Sequence, residues 1–251
     1  MSGGVGPTYN DISLPQEEQQ HESKQNDDNS ATTSSKNKTH RTPKKRSSFL
    51  SFRQQNCLAV IVTLSATGLV CPEDMAFVLF SIIYMYFLSI VAFPKLTSKE
   101  PPVFDIQKGL LPLYVFVGAI IGLFLPIAYI FEGIFEGDKE GIKAAIPHLF
   151  LLASQVFMEE VAFSDRFSTP IRVFIPVCYN SMRISTIVEW LRNEFSKGNE
   201  EFGGSPRRLF IGRGLAIANM AFWCFNLFGF LLPVYLPKAF KRYYSDSKVK
   251  D

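Results

Sequence analysis

Hydrophobic and polar positions divide the chain near residue 50. From Gln16 to Lys38 the run is dominated by Glu, Gln, Ser, Thr, Asn, Lys and Asp, which cannot bury enough apolar surface to offset the entropy of ordering it. Residues 1–48 are therefore predicted to be a disordered tail. Long uncharged runs follow. Residues 75–93, MAFVLFSIIYMYFLSIVAF, are close to the roughly 20 residues a spanning helix needs. Residues 110–131 form a second, longer run, with Pro112 in its first turn and Pro126 placed to kink it. Residues 209–236 form a third, broken only by Arg213 near its start, where a long side chain can reach the membrane surface.

Three further stretches are less regular. Cys57 to Val70 is short and carries several hydroxyls; extended back over Gln54 to give 54–71, it crosses and forms a tight hairpin with the next span through Cys71-Pro72-Glu73-Asp74, although a re-entrant segment has the same length. Residues 146–163 open on Pro147, a good first helical position. At 100° per residue they bring His148, Gln155 and Glu159 into one narrow polar stripe. Residues 164–206 mix apolar positions with Arg166, Arg172, Arg183 and Arg192 and read as interfacial helices, Arg on the wet side and Phe174, Tyr179 and Trp190 at headgroup depth. The expected fold class is all-α: a polytopic helical membrane protein over 54–244, with four or five spans plus interfacial helices and a C-terminal tail at 245–251.

Charge sets the orientation. After Asp28 no acidic residue appears before Glu73, whereas Lys36, Lys38, Arg41, Lys44, Lys45, Arg46 and Arg53 gather ahead of the first span. Basic residues beside a first span favour the cytosolic side, and Arg41, Lys44, Lys45, Arg46 and Arg53 are candidate contacts for anionic lipid. The first thirty residues lack the apolar core of a cleavable secretory signal. With the tail cytosolic, the loop holding Lys95, Lys99 and Lys108 is inside, and the segment with Glu132, Glu136, Asp138 and Glu140 is outside. Five crossings then put the arginine-rich segment inside but leave the basic C-terminus outside; four move the conflict to the arginines. Five satisfies more of them.

Composition narrows the class further. Hydrophobic residues are 47% of the chain and aromatics 14%, with 24 Phe, while charged residues are 20%, fewer than the roughly 25% of a soluble domain. A net charge of +3 and the lack of a basic stripe in a foldable segment exclude nucleic acid as a partner. Partners are expected to be the lipid bilayer, anionic lipids at the tail, and further copies or other membrane proteins. The membrane is the plasma membrane or one of the endomembrane system, and no cofactor is implied.

The segments FSDRFSTPIRVFIPVCYNSMRI and RLFIGRGLAIANMAFWCFNLFGFLLPVYLPKAFKRYY resemble a plant family of multi-span transmembrane proteins known only as a domain of unknown function. The resemblance covers about Gln54 onward and excludes the tail. It implies a membrane protein from a plant, without an assigned activity or site residues.

Candidate chemistry rests on polar residues inside apolar runs, because each is costly in lipid. These are His148, Gln155, Glu159 and Glu160 on the fourth segment, with Arg213, Asn219 and Asn226 on the last. Glu159 or Glu160 pairs with Arg213 in one reading; in the other the acids sit in water, Arg213 reaches the surface and the asparagines join helices. Gly118 and Gly122 are spaced for close helix packing. No GxSxG, phosphate loop, GxGxxG or HExxH motif occurs. The four cysteines form no CxxC pair. The sequence favours a non-enzymatic scaffold, trafficking or regulatory component. The alternative is a small oligomeric transporter or channel using the polar stripe; an intramembrane enzyme has no supporting motif.

Overall fold

The computed structural model describes residues 51–96, 103, 109–163, 167–197 and 205–248; Arg41, Lys44, Lys45 and Arg46 lie outside them. Every regular element among the described residues is a helix. Helix α1, Phe52–Ala66, starts where the Ser51 N–H donates to Gln54 Oε1 at 2.8 Å and stops before Gly68, whose φ of 68° is left-handed. Its 15 residues make about 22 Å, short of a hydrocarbon core of roughly 30 Å, so the span expected at 54–71 is a shorter helix. Helix α2, Pro72–Val91, has Pro72 at its start and Glu73 and Asp74 in its first turn, all suited to a helix N-terminus.

The next rod is continuous: α3 (Leu111–Ala119), a π-helical stretch (Ile120–Phe124) and α4 (Leu125–Glu136). Pro126 supplies the reason for the π stretch, because it lacks the N–H that would bond the carbonyl of Gly122. Gly137, with φ 72°, ends α4, and Asp138 caps α5 (Lys139–Ala162) by accepting from the Gly141 N–H at 2.9 Å. One expectation changes here: the helix expected at 146–163 begins earlier, with Pro147 in its interior. The Asp138 cap, followed by helix-compatible residues as far as Ala145, outweighs the start signal of Pro147.

The largest correction concerns 164–206. Instead of interfacial helices, it contains one 28-residue helix, α6 (Thr169–Ser196), about 42 Å long. This helix runs antiparallel along the whole of α5. Lys197 Nζ lies 3.2 Å from Asp138, the Trp190 ring is 6.2 Å from that of His148, Arg183 donates to Gln155, and Arg172 lies 5.6 Å from the ring of Phe163. Tyr179, Arg183 and Trp190 have no exposed surface and Arg172 is buried, so these two arginines face neighbouring helices, whereas Arg192 is exposed as expected. Helix α6 packs against α5, α7 and α8 and leaves Ser181, Ser185, Glu189 and Arg192 exposed. Helix α7 (Pro206–Cys224), a π-helical stretch (Phe225–Tyr235) and α8 (Leu236–Lys248) form the last rod. It overruns the expected 209–236 at both ends and takes up residues assigned to the C-terminal tail, because Ser205 caps its start and nothing interrupts its end.

Contacts fix the order of the rods. Arg53 pairs with Glu160 at 2.8 Å, Ser168 Oγ donates to the Phe93 carbonyl at 2.8 Å, and the Tyr243 hydroxyl donates to the Pro94 carbonyl at 2.9 Å. The start of α1, the ends of α2 and α5, the start of α6 and the last rod's C-terminal part therefore share one end of the bundle, called the near end. The end of α4, the start of α5, the end of α6 and the start of α7 meet at the far end. Four rods are long and apolar enough to cross a membrane: Pro72–Val91, Leu111–Glu136, Lys139–Ala162 and Pro206–Ser245. The outer faces of α2 and α3 expose Leu79, Phe80, Ile83, Phe87, Leu113 and Phe116, surface suited to lipid and not to water.

Candidate functional site: two buried polar clusters

The far-end cluster closes α4, α5, α6 and α7 with charge. Arg208 Nε donates to Asp138 Oδ2 at 2.9 Å and its Nη1 to the Tyr129 carbonyl at 3.0 Å. Lys197 reaches both Asp138 and Glu194, the latter at 2.9 Å, and the Tyr129 hydroxyl donates to Glu194 Oε1 at 2.7 Å. Two cations thus face two carboxylates. Gly133 and Gly212 make the room: a Cβ on Gly133 would collide with the Arg208 guanidinium, and one on Gly212 would lie 2.5 Å from Glu194 Oε2. Burial alone would raise the Asp138 carboxyl, but the Gly141 N–H, Lys197 and Arg208 outweigh it and hold it below its ordinary value. Asp138 is ionised.

The second cluster lies at mid-length, around Trp223. Arg183, at the midpoint of α6, is fully enclosed, with its guanidinium carbon 4.1 Å from the centroid of the Trp223 ring. Its Nη2 donates to Gln155 Oε1, while Gln155 Nε2 donates to Glu159 Oε1 at 2.7 Å. Asn180 donates to the Trp223 carbonyl at 3.0 Å. Asn219 accepts from Trp223 Nε1 at 3.2 Å and donates to the Leu215 carbonyl at 3.0 Å. The His148 ring lies 6.1 Å from that of Trp223. Its Nε2 is 2.8 Å from the carbonyl of Gly122, the group that Pro126 leaves without its α-helical donor. A carbonyl only accepts, so Nε2 carries the hydrogen.

Polar satisfaction is incomplete in both clusters: at the far end Arg208 Nη2 and Glu194 Oε2 lack a hydrogen-bond partner among the described residues, and the mid-length cluster has more such groups. Arg183 Nε and Nη1, His148 Nδ1, Asn180 Oδ1 and Ser154 Oγ are buried without a hydrogen-bond partner among the described residues. No described carboxylate lies within ion-pair distance of Arg183.

Of the residues singled out from sequence, His148 and Gln155 meet in this cluster, and Glu159 joins it through Gln155. Glu160 does not: it pairs with Arg53, which places that candidate lipid contact in an ion pair. Arg213 sits at the opposite end from Glu159 and Glu160, donating to the carbonyls of Glu194 and Lys197 at 3.0 and 2.9 Å. It caps the C-terminus of α6, so neither acid is its partner. Asn226 accepts from the Tyr114 hydroxyl at 2.7 Å and so joins two rods, whereas Asn219 bonds within its own. Gly118 and Gly122 pack against Phe222 and Trp223; added Cβ atoms would lie 2.8 and 2.6 Å from those rings.

Sequence reading placed Arg172 and Arg183 on a wet face, and did not single out Asn180, Trp223, Asp138, Arg208, Glu194, Lys197 or Tyr129 as site residues. One signal was present: Arg172 and Arg183 stand eleven residues apart, three helical turns, on one face. Among the described residues no group of three His, Cys, Asp or Glu could hold a metal ion, and Cys57, Cys71, Cys178 and Cys224 are free thiols.

Fold and site together define an all-α protein with four helices long and apolar enough to cross a membrane, arranged about a buried polar seam. The chain belongs to the family described as Domain of unknown function (DUF7733), which matches residues 50–244 and leaves out the polar N-terminal stretch. No curated protein and no solved structure matches it.

Proposed function

We propose that this chain is a non-enzymatic, multi-pass membrane protein that passes or holds a small polar solute along the seam between α5 and α6. The observation that carries the reading is the line of buried polar side chains on that hairpin. Asp138 and Glu194 stand at the far end, His148, Gln155, Asn180 and Arg183 at mid-length, and Arg172 with Ser168 and Thr169 at the near end. A scaffold could be built from apolar contacts alone, and an arginine at the middle of a membrane-embedded bundle is costly.

In this reading all six rods traverse, with α6 packed against α5, α7 and α8 and α1 lying in a locally thinned or partly covered position. Both chain ends then share the cytosolic side. Lys95, Lys238, Lys241 and Arg242 join the basic tail there, and the conflict over the C-terminus that five crossings leave is removed. A plasma-membrane or endomembrane location fits, with anionic lipid as partner of the tail.

Reconstituted vesicles test the function. Proteoliposomes of the full chain should swell faster than protein-free vesicles when challenged with urea, glycerol, or potassium nitrate plus valinomycin. Replacing Gln155 and Asn180 together by Leu should slow that swelling. Correctly inserted protein that accelerates none of these solutes would overturn the reading. Tags at both ends on opposite sides of the membrane would overturn the six-rod topology.

A further inference from the structure

The unpartnered groups of the seam say what kind of solute it suits. Arg183 is a permanent cation, since its guanidinium does not release a proton in proteins. Its burial is complete, and one of its three nitrogens reaches a protein acceptor, the neutral amide oxygen of Gln155. The other two, Nε and Nη1, have no partner among the described residues. The Trp223 face at 4.1 Å supplies cation–π attraction, which stabilises the charge without occupying its in-plane donors. A buried donor on a charged group is expensive to leave unmade.

The same holds one stretch further along the helix. Arg172 is 7% exposed, rests on the ring of Phe163 and has Nε unpartnered among the described residues. Water could fill these donor positions but would not balance the charge. Glu159, bonded through Gln155, is a single carboxylate against two guanidinium groups, and Glu160 is taken by Arg53. The near half of the seam therefore holds more cationic than acidic groups.

We infer that Arg183 binds a small monovalent inorganic anion at a guanidinium edge that includes one of its unpartnered nitrogens, Nε or Nη1, beside Trp223. Planar or spherical anions of the size of nitrate or a halide match a single guanidinium edge. Arg172 is the second cation that such an anion meets on the same helix face. The inference rests on the solute-handling reading and narrows its substrate class.

The chain carries its own reporter, because its two tryptophans are Trp223, beneath Arg183, and Trp190, beside His148. Iodide titrated at constant ionic strength into the full chain in detergent should quench tryptophan emission along a saturating curve. Nitrate should reverse the quenching. Arg183→Gln should raise the half-saturating iodide concentration roughly tenfold, the loss of one charge-assisted contact, whereas Arg183→Lys should retain most of the response. Linear, collisional quenching in the unmodified chain, unaffected by nitrate, would overturn the inference even if Arg183→Gln fails to fold. The two proposals fail separately. Saturable quenching without vesicle swelling would leave the anion site and remove transport, while swelling with urea or glycerol but no saturable quenching would do the reverse.

Discussion

Arg208 and Arg183 are alike by local measures and opposite in their company. Neither has exposed surface, and each guanidinium carbon lies 4.1 Å from the centroid of an aromatic ring, Tyr129 for Arg208 and Trp223 for Arg183. Arg208 meets the Asp138 carboxylate at 2.9 Å, with Glu132 at 3.6 Å, inside a cluster that supplies its counter-charge. Arg183 meets an amide. A buried cation with its counter-charge built in needs no explanation beyond joining the helices it touches, although such pairs add little net stability. One without it is a burden to the fold, and its presence points to a task that folding does not account for.

The comparison breaks or holds first on stability. Arg208→Met leaves Asp138 and Glu194 facing Lys197 alone, and removing one partner of a buried ion pair typically costs about 3–5 kcal/mol. A large drop in the melting temperature of the detergent-solubilised chain is expected. Arg183→Met removes two unpartnered donors and frees only the Gln155 oxygen, so it should cost far less or raise the melting temperature. Equal losses for the two variants would show that Arg183 is structural after all. A smaller effect is expected from Gly122→Ala, whose new Cβ would lie 2.6 Å from Cζ2 of Trp223. Overpacking of this kind costs about 1–3 kcal/mol, and the indole, pinned by Asn219 and under Arg183, cannot turn away freely. Its emission should shift as well as the melting temperature. Gly118→Ala meets the edge of Phe222, a ring near the surface of the bundle, and should be milder.

Legibility in the sequence followed the environment of each element. The rods at Pro72–Val91 and Leu111–Glu136 face outward, so their apolar runs announced them. On α6 the face with Arg172 and Arg183 is packed while Ser181, Ser185, Glu189 and Arg192 are exposed: amphipathic patterning reports that a polar face exists but not whether water or other protein lies against it, and Arg172 and Arg183 look the same in either case. His148, Gln155 and Glu159 were legible as a stripe because one helix carries them, whereas their partner Arg183 comes from another. The far-end cluster was hidden for a different reason. Asp138, Glu194, Lys197 and Arg208 each sit at a helix terminus, where charges ordinarily meet solvent, and only the full-length pairing of α5 with α6 brings them together.

The finest test uses pH, because the two clusters answer to different variables. Asp138 is held below its ordinary value of 3.8, so the folded state binds its proton less readily than the unfolded state. Stability from this group is fully present above the unfolded value and is lost as pH falls through the lower folded one. Between pH 8 and 5 Asp138 should contribute no slope, and its contribution to the melting temperature should fall only in more acidic buffer. Asp138→Asn should lower the plateau and flatten that acidic fall; an unchanged fall would mean that other carboxylates control it. Arg183 has no proton to lose in this range. Replacing gluconate by nitrate at fixed pH should therefore raise the melting temperature of the unmodified chain and of Asp138→Asn alike, but not that of Arg183→Gln, so that acid reads one arginine's surroundings and anion identity the other's.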